Sequence, residues 1–185
     1  MPEFRRKPNR LGAPAYVGRR WYFVTICAGG RRPVFQDAEL VSTLLTELEQ
    51  TCAQHTFSLY AYCFMPDHVH LELVGTDDQS TLPEMLREFK GHVAARARLM
   101  GVRGVRQKGY YDHVVRPGEN EGAVAWYIFN NPVRKGLVSS PVAWPNSGSW
   151  MFDWKNAVAP TEEFVPPWKW RGKPAATAPL REGPS

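Results

Sequence analysis

Two histidines at alternate positions, His68 and His70, are the side chains of this sequence best suited to hold a metal ion. They fall in a run that alternates like a β-strand, so both imidazoles point to one face of a sheet and Val69 points to the other. Two neighbouring imidazoles can coordinate a divalent cation together. Because two ligands hold a metal weakly, we expect a third ligand from another part of the chain. The alternative is two exposed histidines without a metal.

A tyrosine and an asparagine four residues apart, Tyr127 and Asn131, add complementary chemistry. Positions i and i+4 share one helix face, so a phenol and a carboxamide lie one turn apart on a helix predicted at 119–131. An amide oxygen is a usable ligand for a hard cation, and a phenol can attack a phosphate that a metal polarises. Because the helix is otherwise apolar, half-buried packing is the alternative interpretation of Tyr127.

Hydrophobic patterns predict the elements that must position these groups. Strands are predicted at 21–27, 57–64, 68–74 and 110–116, where β-branched and aromatic residues cluster or alternate. Helices are predicted at 37–55, 81–100 and 119–131 from apolar residues at helical spacing, with Asp37 and Asn120 as caps. The order β-α-β-β-α-β predicts an α+β, ferredoxin-like (split βαβ) antiparallel sheet with helices on one face. The extra C-terminal helix carries the tyrosine, and the histidines lie on the face away from the first two helices.

Length and composition exclude several classes of protein. The 185 residues fit one domain but are too few for an eight-fold β/α barrel. No apolar run approaches the ~20 residues of a membrane helix, and the first residues do not read as a secretory signal. Three widely spaced cysteines argue against a disulfide framework. We therefore expect a cytoplasmic, nucleoid-associated protein with no membrane partner.

Charge is segregated along the chain, although the net charge is only +5. Residues 1–35 carry eight Lys and Arg and one acid, whereas residues 36–83 carry eight acids and no Lys or Arg. Residues 84–116 carry eight Lys and Arg and three acids. Folding can bring the two basic blocks together as one surface for phosphate backbones, although a solvated basic surface is the alternative.

Four segments resemble the REP-associated tyrosine transposases of the insertion-sequence-200-like, single-tyrosine superfamily. The segment 64–71 (FMPDHVHL) resembles the His-hydrophobic-His strand of HUH single-strand endonucleases. Segments 109–116 (GYYDHVVR) and 127–138 (YIFNNPVRKGLV) resemble later blocks of the family. The segment 143–149 (AWPNSGS) resembles its Trp-Pro-x-Ser-Ser block, with Gly148 inserted between the serines. The resemblance covers about residues 16 to 150 in the family's order.

The resemblance implies a transposase that cleaves and rejoins single-stranded DNA at hairpins of the repetitive extragenic kind. His68, His70 and Asn131 would hold Mg²⁺ or Mn²⁺. Tyr127 would be the nucleophile and form a 5′-phosphotyrosine intermediate, with Tyr110 and Tyr111 as alternatives. Glu72 can add to the metal site, and Asp67 is expected to shape the turn before His68.

The basic blocks supply the residues that we expect to contact DNA. They are Arg5, Arg6, Arg10, Arg19, Arg20, Arg87, Lys90, Arg96, Arg98, Arg106 and Lys108.

The predicted domain organisation has three parts. A basic arm (1–20) precedes the endonuclease domain (21–138), and a Pro/Trp-rich tail (139–185) follows it. The sequence is compatible with a monomer or a homodimer. Two competing functions remain open: a non-catalytic regulator that binds hairpin DNA, and a metal hydrolase that does not act on DNA.

Overall fold

Five strands form the sheet that carries the candidate site. They are β1 (Trp21–Cys27), β2 (Phe57–Met65), β3 (His68–Gly75), β4 (Tyr111–Val114) and β5 (Ser147–Gly148). Their order across the sheet is β4-β1-β3-β2-β5, and each pair of neighbours is antiparallel. The computed structural model describes residues 12–105, 109–116 and 118–166.

Helices lie on both faces of this sheet. They are α1 (Ala38–Gln54), α2 (Leu82–Leu99), α3 (Glu121–Phe129) and the short α4 (Asn131–Arg134). The predicted caps form, because Asp37 accepts a hydrogen bond from the Leu40 amide (3.0 Å) and Asn120 accepts one from the Ala123 amide (3.1 Å). The predicted α+β, ferredoxin-like architecture is confirmed. Within the described ranges, no helix is long and apolar enough to cross a membrane.

Two apolar cores hold the layers together, one on each face of the sheet. The first lies under α1 and α2, where Val69 and Leu71 of β3 pack among the helix side chains. The second lies under α3, where Phe23 and Cys63 pack against Ile128. Strand β3 is therefore buried on both faces, with His68 and His70 on the side of α3. The prediction that the histidines lie opposite the first two helices is confirmed.

A bulge in β2 shifts its side chains relative to β3. Leu59 pairs with Leu73 and Ala61 pairs with Glu72, so Tyr60 is the extra residue. Tyr60 and Ala61 both join the core under α3, which gives Glu72 two neighbours on that strand. The bulge thus adds an aromatic ring to the face that carries the histidines.

The chain after β4 differs from the prediction in two places. The third helix ends at Phe129, and Asn131 begins α4 instead of ending the same helix. Pro132 lies in the first turn of α4, where a missing N–H is tolerated, so the proline starts a helix here and does not stop one. The region predicted as a tail contributes β5 to the sheet edge and Trp154 to the second core.

The Gly18 backbone lies close to Gly75 at the end of β3, so a methyl group added at Gly75 should destabilise the fold. In Gly75→Ala the added Cβ would collide with the Gly18 carbonyl oxygen and lie 3.0 Å from the Ser80 Cβ. We expect a loss of about 1–3 kcal/mol in the free energy of unfolding, measured by urea denaturation.

Gly91→Ala is the matched control, because a Cβ there meets nothing within 4 Å. Gly91 lies inside α2, so this alanine should stabilise the protein by up to about 1 kcal/mol. Equal effects of the two substitutions would contradict the packing described for Gly75.

Candidate active site

The two imidazoles of His68 and His70 converge through the same ring atom. Their Nε2 atoms lie 3.1 Å apart, and the rings meet edge to face with centroids 4.6 Å apart. Both residues are buried, with 9% and 5% of their surface exposed. The strand pleat produces this arrangement, because residues two apart on β3 project from the same face.

The outer nitrogen of each ring is held by a polar neighbour. Asp67 Oδ1 lies 2.6 Å from His68 Nδ1, and Thr25 Oγ1 lies 2.8 Å from His70 Nδ1. The Asp67 carboxylate accepts the Nδ1 proton of His68, so the lone pair of that ring lies on Nε2. On His70, the tautomer that donates its Nδ1 proton to Thr25 Oγ1 leaves its Nε2 lone pair facing the same point. This is the arrangement that orients metal-binding histidines in proteins, so the pair fits a divalent cation.

Burial and nearby cations favour the neutral form of His68. Burial lowers the pKa of His68, and the charges of Arg31 and Lys135 lower it further, although Asp67 opposes the shift. Burial alone would raise the pKa of Asp67, but the hydrogen bond with His68 and the Arg31 charge hold it below its usual value. A neutral imidazole is the form that binds metals. The same cations give the site an electrostatic attraction for phosphate.

Tyr127 lies on α3 with its ring against the histidine pair. Its centroid is 6.3 Å from that of His70 and 5.8 Å from that of Phe23, both in edge contacts. The Arg134 guanidinium lies 4.2 Å from the ring centroid, in cation–π geometry. The Tyr127 ring is thus held beside the imidazoles by contacts that include Phe23 and Arg134.

Asn131 lies one helical turn beyond Tyr127, although α3 has already ended. Its Nδ2 atom donates a hydrogen bond to the Tyr127 carbonyl (2.8 Å), and the side chain is buried. Because the carbonyl can only accept, this bond identifies which end of the amide is nitrogen. The opposite end, Oδ1, is the atom that could serve as a ligand. The predicted one-turn relation between the two residues is preserved across the helix break.

Glu72 continues the histidine face but does not form a three-membered ligand group with the pair. In the described part of the chain, no three His, Cys, Asp or Glu side chains form a group that could hold a metal. Glu72 is fully buried, and neither carboxylate oxygen has a hydrogen-bond partner in the described structure. Burial, with a smaller contribution from Glu121, raises its pKa to about 9. Asp67 acts on His68 through Nδ1 and not as part of such a group.

The two alternative tyrosines occupy different environments. Tyr111 pairs with Thr25 across β1 and β4, so it lies in the same row of the sheet as His70, and it is 58% exposed. Tyr110 packs on the core under α1 and α2, with Lys90 Nζ 5.8 Å from its ring centroid. Tyr127 differs from both in its direct ring contact with His70.

The predicted DNA-contacting residues separate into three groups. Five lie outside the described residues: Arg5, Arg6, Arg10, Arg106 and Lys108. Arg19 pairs with Asp78 at 3.1 Å, and Arg20 donates to the Val17 carbonyl. The other four, Arg87, Lys90, Arg96 and Arg98, lie on α2.

The α2 group lies across the sheet from the histidines, and two of its members bind other parts of the protein. Arg96 Nε lies 2.6 Å from the Glu47 carboxylate of α1, and Lys90 Nζ donates to the Gly109 carbonyl at 3.1 Å. These two side chains support the packing of the fold. The structure therefore does not bring the α2 cations to the site of His68 and His70.

Sequence analysis missed three residues that shape the site: Thr25, Arg31 and Arg134. Thr25 could have been predicted from the pairing of β1 with β3, because this pairing sets Thr25 opposite His70. Arg134 follows Tyr127 by seven residues, which is two helical turns, and this spacing was the available signal. No comparable signal pointed to Arg31, which reaches Asp67 from the short 3-10 helix Gly29–Arg31 after β1.

Comparison with known proteins identifies the family of this chain. The profile of the family described as "Transposase IS200 like" matches residues 17–114, more than half of the chain. The chain belongs to the IS200-like transposase family. A REP-associated tyrosine transposase of Haemophilus influenzae is 26% identical over 168 residues, which cover 83% of this chain and 88% of that protein.

A solved structure shares the fold of this IS200-like transposase. It is a REP-associated tyrosine transposase bound to a REP hairpin, with a TM-score of 0.62 and 19% sequence identity. The match covers 89% of this chain and all of the other. Family membership supports a general role in DNA transposition, and the matched profile contains His68 and His70 but ends before Tyr127.

The buried carboxyl of Glu72 predicts a pH-dependent penalty on stability. Its pKa rises from 4.5 to about 9 on folding, so between these values the folded chain keeps a proton that the unfolded chain loses. The contribution of this group to stability is therefore present below pH 4.5 and falls by roughly 1.4 kcal/mol per pH unit up to about pH 9. The amide that Glu72→Gln introduces does not titrate. The stability of this variant relative to the wild type should therefore increase by the same amount per pH unit.

Urea unfolding of both proteins in chelator at several pH values from 5 to 9 measures the difference. Other titrating groups are common to the two proteins and cancel in the subtraction. A stability difference that stays constant across this range would contradict a protonated Glu72.

Proposed function

We propose that this IS200-like transposase cleaves and rejoins single-stranded DNA at hairpin sequences through a 5′-phosphotyrosine intermediate, with a divalent metal bound at the histidine pair. The observation that carries the proposal is the contact of the Tyr127 ring with His70, whose Nε2 atom faces that of His68 at 3.1 Å. A potential nucleophile on α3 and a potential metal-binding pair on β3 thus lie next to each other.

The metal ligands in this proposal are His68, His70 and the amide oxygen of Asn131, and the metal is Mg²⁺ or Mn²⁺. The outer contacts of the imidazoles support the assignment, because Asp67 and Thr25 leave the two Nε2 atoms facing each other. A mixed nitrogen and oxygen donor set favours Mn²⁺ over Mg²⁺ in affinity. When bound, the metal would polarise a non-bridging phosphate oxygen and stabilise charge in the transition state.

Tyr127 is the proposed nucleophile, and its attack balances as a transesterification. A bond forms between the phenol oxygen and phosphorus, while the bond from phosphorus to the 3′-oxygen breaks. The phenol proton is lost to solvent or a base, and the leaving 3′-oxygen takes up a proton. Because the phosphotyrosine conserves the phosphodiester energy, a second 3′-hydroxyl can reverse the step and join new strands without ATP.

Cations around the site support a phosphate substrate. Arg31 and Lys135 lie close enough to act on the charge of His68, and Arg134 covers the Tyr127 ring. These positive charges would attract a DNA backbone and stabilise charge that develops on the phosphate. The exposed Arg19 and Arg20 remain proposed backbone contacts further along the bound strand.

Hairpin DNA is the proposed substrate because of the related proteins. The solved structure with the same fold holds a REP hairpin, and the Haemophilus relative is named for its association with such repeats. A regulator that binds hairpins without cleaving them would share the fold and the basic surface. The two activities differ in one product, a covalent bond between protein and DNA.

The nucleophile assignment predicts a covalent adduct that depends on one phenol. With Mn²⁺ and labelled single-stranded hairpins from the DNA flanking the gene, the wild type should give a shifted band on a denaturing gel. Tyr127→Phe removes only the hydroxyl and should abolish the band.

Tyr111→Phe is the matched control, because Tyr111 lies on the same sheet face in the row of His70. This variant should keep the adduct. A band that survives in Tyr127→Phe and disappears in Tyr111→Phe would reassign the nucleophile, whereas hairpin binding without any band would favour the regulator.

The ligand assignment of Asn131 predicts a change in metal affinity that needs no DNA. Asn131→Ala should weaken Mn²⁺ binding by at least about ten-fold, measured by electron paramagnetic resonance titration. Asn130→Ala is the control. Asn130 is the adjacent asparagine, and its side chain forms no capping hydrogen bond at the start of α4. Equal affinities in the two variants would remove Asn131 from the ligand set.

A further inference from the structure

The two imidazoles of the candidate site have outer partners of different chemistry. Asp67 Oδ1 lies 2.6 Å from His68 Nδ1, whereas Thr25 Oγ1 lies 2.8 Å from His70 Nδ1. The Asp67 carboxylate only accepts hydrogen bonds, but a hydroxyl both donates and accepts them. The proton of His68 is therefore fixed on Nδ1, while the contact with Thr25 is compatible with either neutral tautomer of His70.

The contact between the two rings decides which tautomer His70 adopts in this structure. The Nε2 atoms lie 3.1 Å apart, which is a hydrogen-bond distance, so one of them carries a proton and the other accepts it. Because the His68 proton lies on Nδ1, its Nε2 is the acceptor and His70 Nε2 is the donor. His70 Nδ1 then carries a lone pair, and the Thr25 hydroxyl donates to it. Hydrogen bonds thus run in one direction from Thr25 through both rings to Asp67.

A divalent cation at this pair needs the Nε2 lone pairs of both rings, so His70 cannot keep that tautomer when a metal binds. We propose that Thr25 is a positioning residue whose hydroxyl turns from donor to acceptor, which lets His70 carry its proton on Nδ1 and offer Nε2 to the metal. We call this the tautomer change of His70. The inference rests on the metal site of the function proposed above.

The tautomer change conserves protons. The Nε2 proton of His70 is released to water, and water supplies the proton that Nδ1 takes up, while Thr25 keeps its own hydrogen. The hydroxyl hydrogen of Thr25 only has to turn about the Cβ–Oγ1 bond. Neither imidazole becomes charged at any stage, which suits two rings that are 9% and 5% exposed, because burial opposes the charged form.

One fixed partner and one adaptable partner suit a pair that must be stable both with and without a metal. If carboxylates held both Nδ1 protons, the two Nε2 lone pairs would face each other at 3.1 Å with no proton between them. Buried acceptors in such an arrangement destabilise a fold. The Thr25 hydroxyl avoids this cost, since it keeps a hydrogen bond to His70 Nδ1 in either tautomer. Thr25 is itself buried, and it lies opposite His70 in the pairing of β1 with β3.

Nitrogen-15 NMR of the imidazoles tests the tautomer change directly, because ring nitrogens with and without a proton differ widely in chemical shift. The full chain is measured at about pH 8, where an ordinary imidazole with a pKa of about 6.5 is neutral. In chelator, His70 should carry its proton on Nε2 and His68 on Nδ1. Zn²⁺ is the diamagnetic probe, since imidazole binds it more tightly than Mn²⁺. Its addition should move the His70 proton to Nδ1 and leave the His68 proton in place.

Substitutions of Thr25 separate the effect of its hydroxyl from that of its packing. Thr25→Val has nearly the same shape, but His70 Nδ1 loses this acceptor, so Mn²⁺ affinity should fall about ten-fold in an electron paramagnetic resonance titration. Thr25→Ser keeps the hydroxyl and should return the affinity to about that of the wild type. Thr51→Val is the matched control, because it removes a buried hydroxyl that donates to the Glu47 carbonyl within α1. It should change neither the affinity nor the position of the His70 proton.

Three results would overturn the proposal. A His70 proton that already lies on Nδ1 in chelator, or that stays on Nε2 with Zn²⁺ bound, would mean that no tautomer change occurs. Wild-type affinity in Thr25→Val, or a loss that Thr25→Ser shares, would mean that the hydroxyl does not position His70. If the wild type binds neither ion at the histidines, the metal site of the proposed function fails together with the tautomer change, whereas the first two results leave that site intact.

Discussion

Burial of the central strand β3 on both faces is the constraint on which the rest of this structure depends. Hydrogen bonds to β1 and β2 on either side leave the strand only two directions for its side chains. Val69, Leu71 and Leu73 fill the core under α1 and α2, so the alternate residues must face α3. Two imidazoles and a carboxyl are therefore placed in a buried layer. Among the described residues, the carboxyl of Glu72 has no hydrogen-bond partner.

The helix α3 completes the site by packing and not by polar contacts. Val124 and Ile128 cover the sheet, and this packing brings Tyr127 against His70. The amide of Asn131 bonds back to the Tyr127 carbonyl, which ties the candidate ligand to the same turn. The relation between phenol, amide and imidazoles is therefore set by the apolar contacts of α3. Substitutions in that core should act on the site even though they touch none of its polar atoms.

Sequence patterns were sufficient for the main elements and for the faces on which the key residues lie. Strand alternation placed His68 and His70 together, and the i+4 spacing related Tyr127 to Asn131. The end of α3 could not be predicted, because Pro132 is equally compatible with stopping one helix and starting another. Strand β5 has only two residues, so it has no alternation to detect. Charge counting could not tell that Arg96 is held by Glu47, since that partner is 49 residues away.

The separation of the α2 cations from the histidines limits how a DNA strand can use both. Arg98 and Arg103 line a cleft of about 350 Å³ at the end of α2, beside Gly104. The Gly104 carbonyl accepts a hydrogen bond from the Gly29 amide, two residues before Arg31, which contacts Asp67 next to His68. This end of β1 is thus a basic connection between the two faces. A DNA strand that contacts the α2 cations and also reaches Tyr127 would have to pass around this end of β1, because apolar cores cover both faces of the sheet.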